Sequence, residues 1–213
     1  MNLVELAKKY DTDKGVSKHN YVVVYEELFK NRRSQCKNFF EIGANFGESL
    51  LMFKDYFENA DIWSADIFQG DHFNEDLIKG VKTKLDDNGV RWFDADQGDR
   101  LDLNRIVNEA GEFDIILDDA SHRAAEQQIS LGYLFPYVKS GGLYLIEDLN
   151  YRNHKSERFA DGCKRTDDML EGFRDNKVVL SPVMSDYERK YLEDHASSIK
   201  FYCDNKVAVI EKS

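Results

Sequence analysis

Three hydrophobic runs of this chain each end directly in polar residues. The run at 39–42 leads into a glycine-containing turn, the run at 115–117 into one acidic pair and the run at 143–146 into a second. Continuous apolar runs of this length are typical of buried parallel strands, and ligands of open α/β sheets lie just beyond the carboxyl ends of such strands. The polar residues after the three runs are therefore the predicted functional site.

The wider pattern predicts regular alternation of strands and helices. Strands are predicted at 39–42, 61–67, 90–94, 113–117 and 143–146, and helices at 3–9, 21–29, 49–56, 76–87, 101–110 and 124–134. Alternation of this kind indicates a parallel sheet with helices on both faces. The segments 199–202 and 207–211 flank a compact turn, which predicts a C-terminal antiparallel β-hairpin at the sheet edge. The expected fold is therefore an α/β fold with seven strands.

The stretch at 150–198 departs from this pattern because it is rich in charge and lacks alternation. We interpret it as an insertion that recognises a substrate, and a solvated surface connection is the alternative. Thr166, Asp167 and Asp168 are predicted to cap a helix that runs to Phe173, and 185–195 is predicted as another helix. We expect a single domain over 1–213, in which 1–35 forms a helical lid.

Composition narrows the class of partner. With 213 residues of which 42% are hydrophobic, the chain can bury one substantial core. A net charge of −11 argues against nucleic acid, so a small molecule is the expected partner. Three cysteines are too few for a disulfide framework, and the first ten residues resemble neither a signal peptide nor a membrane span. We expect a cytoplasmic protein with no membrane partner.

The turn after the first strand differs from a dinucleotide fingerprint. It carries Glu41, Gly43 and Gly47 but lacks the third glycine that brings a helix close to a pyrophosphate. An acid at the strand end suits a ligand without phosphate that carries a positive group, such as S-adenosylmethionine. A tight structural turn explains the two glycines equally well. Asp66, near the end of the next predicted strand, can accept both hydroxyls of a ribose.

The two acidic pairs predict a metal site. Carboxylates at adjacent strand ends repel one another unless a cation or a proton lies between them. A hard ion such as Mg²⁺ takes a few carboxylates and leaves positions for substrate oxygens, and Asp119, Glu147 and Asp148 offer such ligands. Alternatively, Asp118 or Asp119 caps the following helix, and Glu147 and Asp148 face solvent.

His122 follows the first acidic pair and is the candidate general base, because an imidazole exchanges a proton near neutral pH. A structural histidine is the alternative. Near the N-terminus, Lys14 and Tyr21 either belong to a lid over a cofactor or form an ordinary capped helix entry.

Motifs distributed along the chain resemble a known family, the class I S-adenosylmethionine-dependent methyltransferases. Within it they resemble the metal-dependent macrolide sugar O-methyltransferases, of the mycinamicin and demethylmacrocin type. The resemblance rests on Asp13-Lys14, His19-x-Tyr21, Glu41-x-Gly43, Gly47-x-Ser49, Ala65-Asp66-Ile67, Asp96-Gln97-x-Asp99, Leu117-Asp118-Asp119-x-Ser121-His122 and Ile146-Glu147-Asp148-Leu149.

The resemblance implies a Rossmann-like fold, S-adenosylmethionine and Mg²⁺ as cofactors, and methyl transfer to a sugar hydroxyl of a glycosylated natural product or a surface polysaccharide precursor. The implied metal ligands are Asp119, Glu147 and Asp148, and from the chemistry of the residues we expect His122 and Asp119 to be catalytic. The implied cofactor-binding residues are Lys14, Tyr21, Glu41, Gly43, Gly47, Ser49, Asp66, Asp96, Gln97 and Asp118. A non-catalytic cofactor-binding protein of the same fold and a NAD-dependent oxidoreductase remain as alternatives, and a homo-oligomer is left open.

Overall fold

The computed structural model describes residues 1–70, 73–149 and 162–213. The chain divides into two units, Met1–Asp94 and Ala95–Ser213. The expectation of a single domain stays a prediction. Among the described residues, none of the helices combines the length and the apolar character needed to cross a membrane.

The first unit places two N-terminal helices before a strand and helix alternation. Its elements are α1 Leu3–Tyr10, α2 Tyr21–Phe29, β1 Asn38–Ile42, α3 Glu48–Tyr56, β2 Asp61–Asp66, α4 Glu75–Asp87 and β3 Arg91–Asp94. Strand β2 pairs in parallel with both β1 and β3. Helix α1 begins with a capping box between Asn2 and Glu5, which satisfies backbone N–H groups that the first turn leaves open. Aromatic rings fill the core, and the centroids of Phe39 and Phe53 lie 4.4 Å apart.

The second unit continues the alternation and ends in a hairpin. Its elements are α5 Arg100–Ala110, β4 Phe113–Asp118, α6 Ala124–Leu134, a 3-10 helix Phe135–Tyr137, β5 Val138–Ile146, α7 Thr166–Asn176, α8 Asp186–His195, β6 Ala196–Tyr202 and β7 Val207–Lys212. Strands β4 and β5 are parallel, whereas β7 is antiparallel to both β5 and β6. Every residue from Ile115 to Asp118 in β4 is buried, as its apolar run predicts.

The strand order confirms the predicted fold class. In the part of the chain that the structure describes, seven strands form a sheet in the order β3-β2-β1-β4-β5-β7-β6. Within each unit the early pairs are parallel, and the last two strands form the predicted antiparallel hairpin. This is a Rossmann-like, mostly parallel sheet.

Among the described residues, three elements differ from the predicted bounds by more than one residue. Strand β5 begins at Val138 rather than at 143, because its polar and glycine-rich first half, with Gly141 and Gly142, hides the apolar pattern of a strand. Strand β6 begins at Ala196 rather than at 199. Helix α7 is capped by Arg165, without a side-chain cap bond, and continues to Asn176, beyond the predicted end.

The predicted insertion is described only in part, since 150–161 lie outside the described residues. Its predicted second helix is confirmed as α8, which begins with a capping box between Ser185 and Glu188. Glu188 also accepts two hydrogen bonds from Arg100, with Nε at 2.8 Å and Nη2 at 2.7 Å. This pair joins α8 to the start of α5.

Candidate active site

The turn after β1 requires its two glycines for conformational reasons. Gly43 has φ 100° and Gly47 has φ 85°, both in the left-handed region that side chains disfavour. A Cβ atom on Gly47 would also lie 3.1 Å from the side chain of Leu85. The Gly43 N–H donates to the Ala65 carbonyl oxygen at 2.8 Å, which ties the turn to β2. The open turn at this strand end therefore has a defined shape.

The carboxylate of Glu41 lies beneath this turn and is fully buried. It accepts a hydrogen bond from Ser49 Oγ at 2.8 Å, and Lys14 Nζ lies 3.5 Å from its second oxygen. The lysine side chain is itself only 1% exposed. Lys14 therefore neutralises the charge of Glu41. The sequence alone suggests that a positively charged ligand does so. Tyr21 is fully buried as well, beside the ring of His19 at a centroid distance of 5.2 Å.

Asp66 ends β2 in a turn that fixes its carboxylate. One oxygen accepts the backbone N–H of Asn45 at 2.9 Å, and the other accepts that of Phe68 at 2.7 Å. Asn45 and Phe68 both have positive φ, at 45° and 47°. Because each carboxylate oxygen can accept a further hydrogen bond, Asp66 can still receive two hydroxyls.

In the second unit, the ends of β4 and β5 bring three candidate groups together. Asp119, His122 and Asp148 each offer a ligand atom, and these atoms lie within 4.8 Å of one another. His122 Nε2 is 3.9 Å from Asp148 Oδ2. Both residues have positive φ, at 57° and 53°, a conformation that side chains adopt only at some cost and that is concentrated at functional sites.

This group fits a divalent cation. Two carboxylates held so close repel each other, and a hard ion with oxygen ligands relieves that repulsion. Asp119 and Asp148 are only half-buried, so solvent or a substrate oxygen can complete the coordination. The imidazole is a poor ligand for Mg²⁺, which leaves His122 available for proton transfer.

Glu147 stands apart from the group of three. Its side chain is buried, its N–H donates to the Asp118 carbonyl at 2.9 Å, and its own carbonyl accepts from Gln127 Nε2 at 3.3 Å. These backbone bonds fix the chain directly before Asp148. The role of Glu147 as a metal ligand stays a prediction.

Asp118, the last residue of β4, is the centre of a buried polar network. It accepts hydrogen bonds from Ser130 Oγ at 2.6 Å, from Gln97 Nε2 at 3.1 Å and from the Tyr144 hydroxyl at 3.4 Å. Complete burial raises the pKa of Asp118 to about 7, although Ser130 and Gln97 act in the opposite direction. Ser130 and Tyr144 were not among the predicted site residues. The signal for Ser130 is a polar position on the buried face of α6.

Asp96 and Gln97 lie side by side in the chain but in different environments. Asp96 is exposed, and its carboxylate accepts the N–H of Gly98 at 2.7 Å. Gln97 is 5% exposed, and its amide oxygen accepts the N–H of Ser121 at 2.8 Å. Of these two predicted cofactor residues, only Asp96 is open to solvent.

No family model matches the chain. Two sequence relatives are 34% identical over 155 residues, which is 70% of this chain: the mycinamicin VI 2''-O-methyltransferase of Micromonospora griseorubida and the demethylmacrocin O-methyltransferase of Streptomyces fradiae. The chain spans little more than a third of their length, because the match covers 36% of each.

Solved structures show the same relationship. The MycE methyltransferase from the mycinamycin biosynthetic pathway, in complex with Mg and SAH, matches all of this chain with a TM-score of 0.76 and 27% identity, over 55% of its own length. The SAH-bound Podospora anserina methyltransferase PaMTH1, with a TM-score of 0.54 and 17% identity, shares the fold.

The fold is therefore that of the class I S-adenosylmethionine-dependent methyltransferases. Within that class, the sequence relatives make the chain a homologue of the sugar O-methyltransferases that act on macrolide glycosides, which confirms the predicted resemblance.

Proposed function

We propose that the protein is an S-adenosylmethionine-dependent, Mg²⁺-assisted O-methyltransferase that acts on a sugar hydroxyl. The observation that carries the proposal is the group formed by Asp119, His122 and Asp148 at the ends of two neighbouring strands. Structural similarity to MycE, a methyltransferase solved with Mg and SAH, also supports the proposal.

The cofactor site is proposed around the turn after β1 and the end of β2. Gly43 and Gly47 place no side chain at the two ends of this turn, and Asp66 offers two oxygens for ribose hydroxyls. In the second unit, Asp96 offers an exposed carboxylate, and we retain it as a proposed cofactor residue. Ser49, after the turn, bonds Glu41, before it, and Lys14 pairs with the same carboxylate. Lys14 and the buried Tyr21 belong to the segment 1–35, which we retain as the proposed lid.

Asp119 and Asp148 are the proposed metal ligands, with Glu147 as the third. Bound Mg²⁺ would make a coordinated sugar hydroxyl more acidic and would orient it. The hydroxyl oxygen forms a bond to the methyl carbon of the donor as the bond from that carbon to sulfur breaks. The products are a methyl ether and S-adenosylhomocysteine, and the hydroxyl proton is transferred to a base.

His122 is the proposed base. It lies beside Asp148, at 3.9 Å between Nε2 and Oδ2, within the group that forms the proposed metal site. The backbone at His122 has φ 57°, so this residue lies in a turn of unusual conformation before α6 rather than in a regular helix. We assign the proton of the hydroxyl to this ring.

The acceptor is proposed as a glycosylated natural product or a surface polysaccharide precursor. The relatives support the first, since their names specify macrolide and tetracenomycin glycosides. A cytoplasmic location is part of the proposal, because the cysteine content is that of a reducing compartment. The net charge of −11 separately disfavours nucleic acid as a partner.

Turnover of S-adenosylmethionine with a panel of glycosides and sugar nucleotides tests the proposal. We expect formation of S-adenosylhomocysteine that depends on both an acceptor and Mg²⁺. Calorimetry with S-adenosylhomocysteine and with NADH distinguishes the alternatives. Heat with NADH alone would assign the chain to the oxidoreductases, and binding of S-adenosylhomocysteine without turnover of any acceptor would indicate a non-catalytic cofactor-binding protein.

A further inference from the structure

We propose that Gln97 is a positioning residue that holds the loop with Asp119 and His122 in its metal-binding shape. The inference rests on the proposed function and deepens it. It concerns a single buried amide, which bonds the last residue of β4 at one end and the segment that follows β4 at the other.

The amide of Gln97 forms a bridge across that segment. Its nitrogen donates to both oxygens of Asp118, each at 3.1 Å, and its oxygen accepts the backbone N–H of Ser121 at 2.8 Å. Asp118 directly precedes Asp119, and Ser121 directly precedes His122. One side chain therefore fixes the residue before each of two candidate active-site groups.

Burial makes this bridge strong and specific. Gln97 is 5% exposed and Asp118 is fully buried, so water does not replace these bonds without opening the unit. Ser130 Oγ donates to Asp118 at 2.6 Å, which leaves the carboxylate no freedom to turn away from the amide. The hydrogen bonds to Asp118 therefore fix the orientation of the Gln97 amide.

The loop requires such support because its conformation is unfavourable. His122 has φ 57°, and Ser121 and Ala120 precede it outside any helix or strand. Without the bond to Gln97, the Ser121 N–H would lose its acceptor and the loop could relax to ordinary dihedral angles. Partners that orient metal ligands commonly affect metal affinity about 10–100-fold.

Gln97→Met removes the bridge and keeps the volume of the side chain. We expect Mn²⁺ affinity, measured by calorimetry on the full chain, to fall about 10–100-fold while S-adenosylhomocysteine affinity changes less than twofold. Gln128→Met is the matched control, since Gln128 is equally buried but bonds the Lys164 carbonyl at 2.8 Å. The control should bind Mn²⁺ as the wild type does.

Hydrogen exchange of 119–123 provides a second readout that needs no metal. Faster exchange there in Gln97→Met than in Gln128→Met supports the bridge, and equal exchange overturns it. A loss of S-adenosylhomocysteine affinity with Mn²⁺ affinity intact would also overturn it and make Gln97 a cofactor contact. If Gln97→Met does not fold, Gln97→Asn, whose shorter amide cannot span both partners, is expected to show the same changes.

Failure of the proposed function gives a different result. Wild-type protein that binds no Mn²⁺ would refute the metal site, whereas the exchange measurement would still decide whether Gln97 holds the loop.

Discussion

The buried pair of Lys14 and Glu41 provides the sharpest prediction about stability. The Nζ and Oε1 atoms lie 3.5 Å apart, and the side chains are 1% and 0% exposed. Lys14→Met keeps most of the apolar stem and removes the charge. Removal of one partner from a buried ion pair typically costs about 3–5 kcal/mol, because the other charge stays in a medium of low polarity. For a domain of this size, that corresponds to a fall in melting temperature of about 6–20 °C.

Thermal and urea unfolding of matched variants would measure this effect. Lys9→Met is the control, because Lys9 also pairs with an acid, Asp55 at 2.6 Å, but on the surface. That variant should melt close to the wild type, since exposed pairs contribute little. The double variant Lys14→Met with Glu41→Gln should recover part of the loss, because it no longer buries an isolated charge.

Equal melting temperatures for Lys14→Met and Lys9→Met would contradict a stabilising ion pair between Lys14 and Glu41. That result would mean that water reaches the pair, or that Glu41 takes up a proton at little expense. A double variant less stable than Lys14→Met would likewise contradict the interpretation of the pair as mutual neutralisation.

Three further predictions concern the second unit. Burial would raise the pKa of Glu188, but Arg100 and Ser185 together lower it below its ordinary value of 4.5. The wild type should therefore lose stability to urea as the pH falls through that region, and Glu188→Gln should lose less. Equal losses in the two proteins would contradict a stabilising pair between Glu188 and Arg100. Asp148→Asn should abolish Mg²⁺-dependent turnover and leave S-adenosylhomocysteine binding intact in calorimetry; full activity in this variant would exclude Asp148 as a ligand. His122→Ala should lower the rate constant about 10²–10⁴-fold and remove the limb of the pH profile that reports the base; an unchanged profile would assign the base elsewhere.

The sequence predicts the fold well because its signals are local. Strands such as β1 and β4 are continuous apolar runs, and α8 begins with the capping box of Ser185 and Glu188. Strand β5 was predicted too short because its start depends on pairing with β4 rather than on its own polar and glycine-rich residues. Local pattern cannot reveal an extension of that kind.

The acidic residues of the site could be predicted from the sequence, whereas the side-chain contacts between distant residues could not. Asp119 and Asp148 follow neighbouring strands, so their approach follows from the parallel pairing of β4 and β5. The contacts of Lys14 with Glu41 and of Gln97 with Ser121 join residues that are far apart in the sequence. No local sequence pattern predicts contacts of this kind. Their discovery required the three-dimensional arrangement.

An anomalous difference map from a crystal grown with S-adenosylhomocysteine and Mn²⁺ would show whether Asp119 and Asp148 bind a divalent ion. We expect a single strong peak within coordination distance of carboxylate oxygens from both residues. A map without a peak at these two side chains, in a crystal whose cofactor site is occupied, would contradict the proposed metal site.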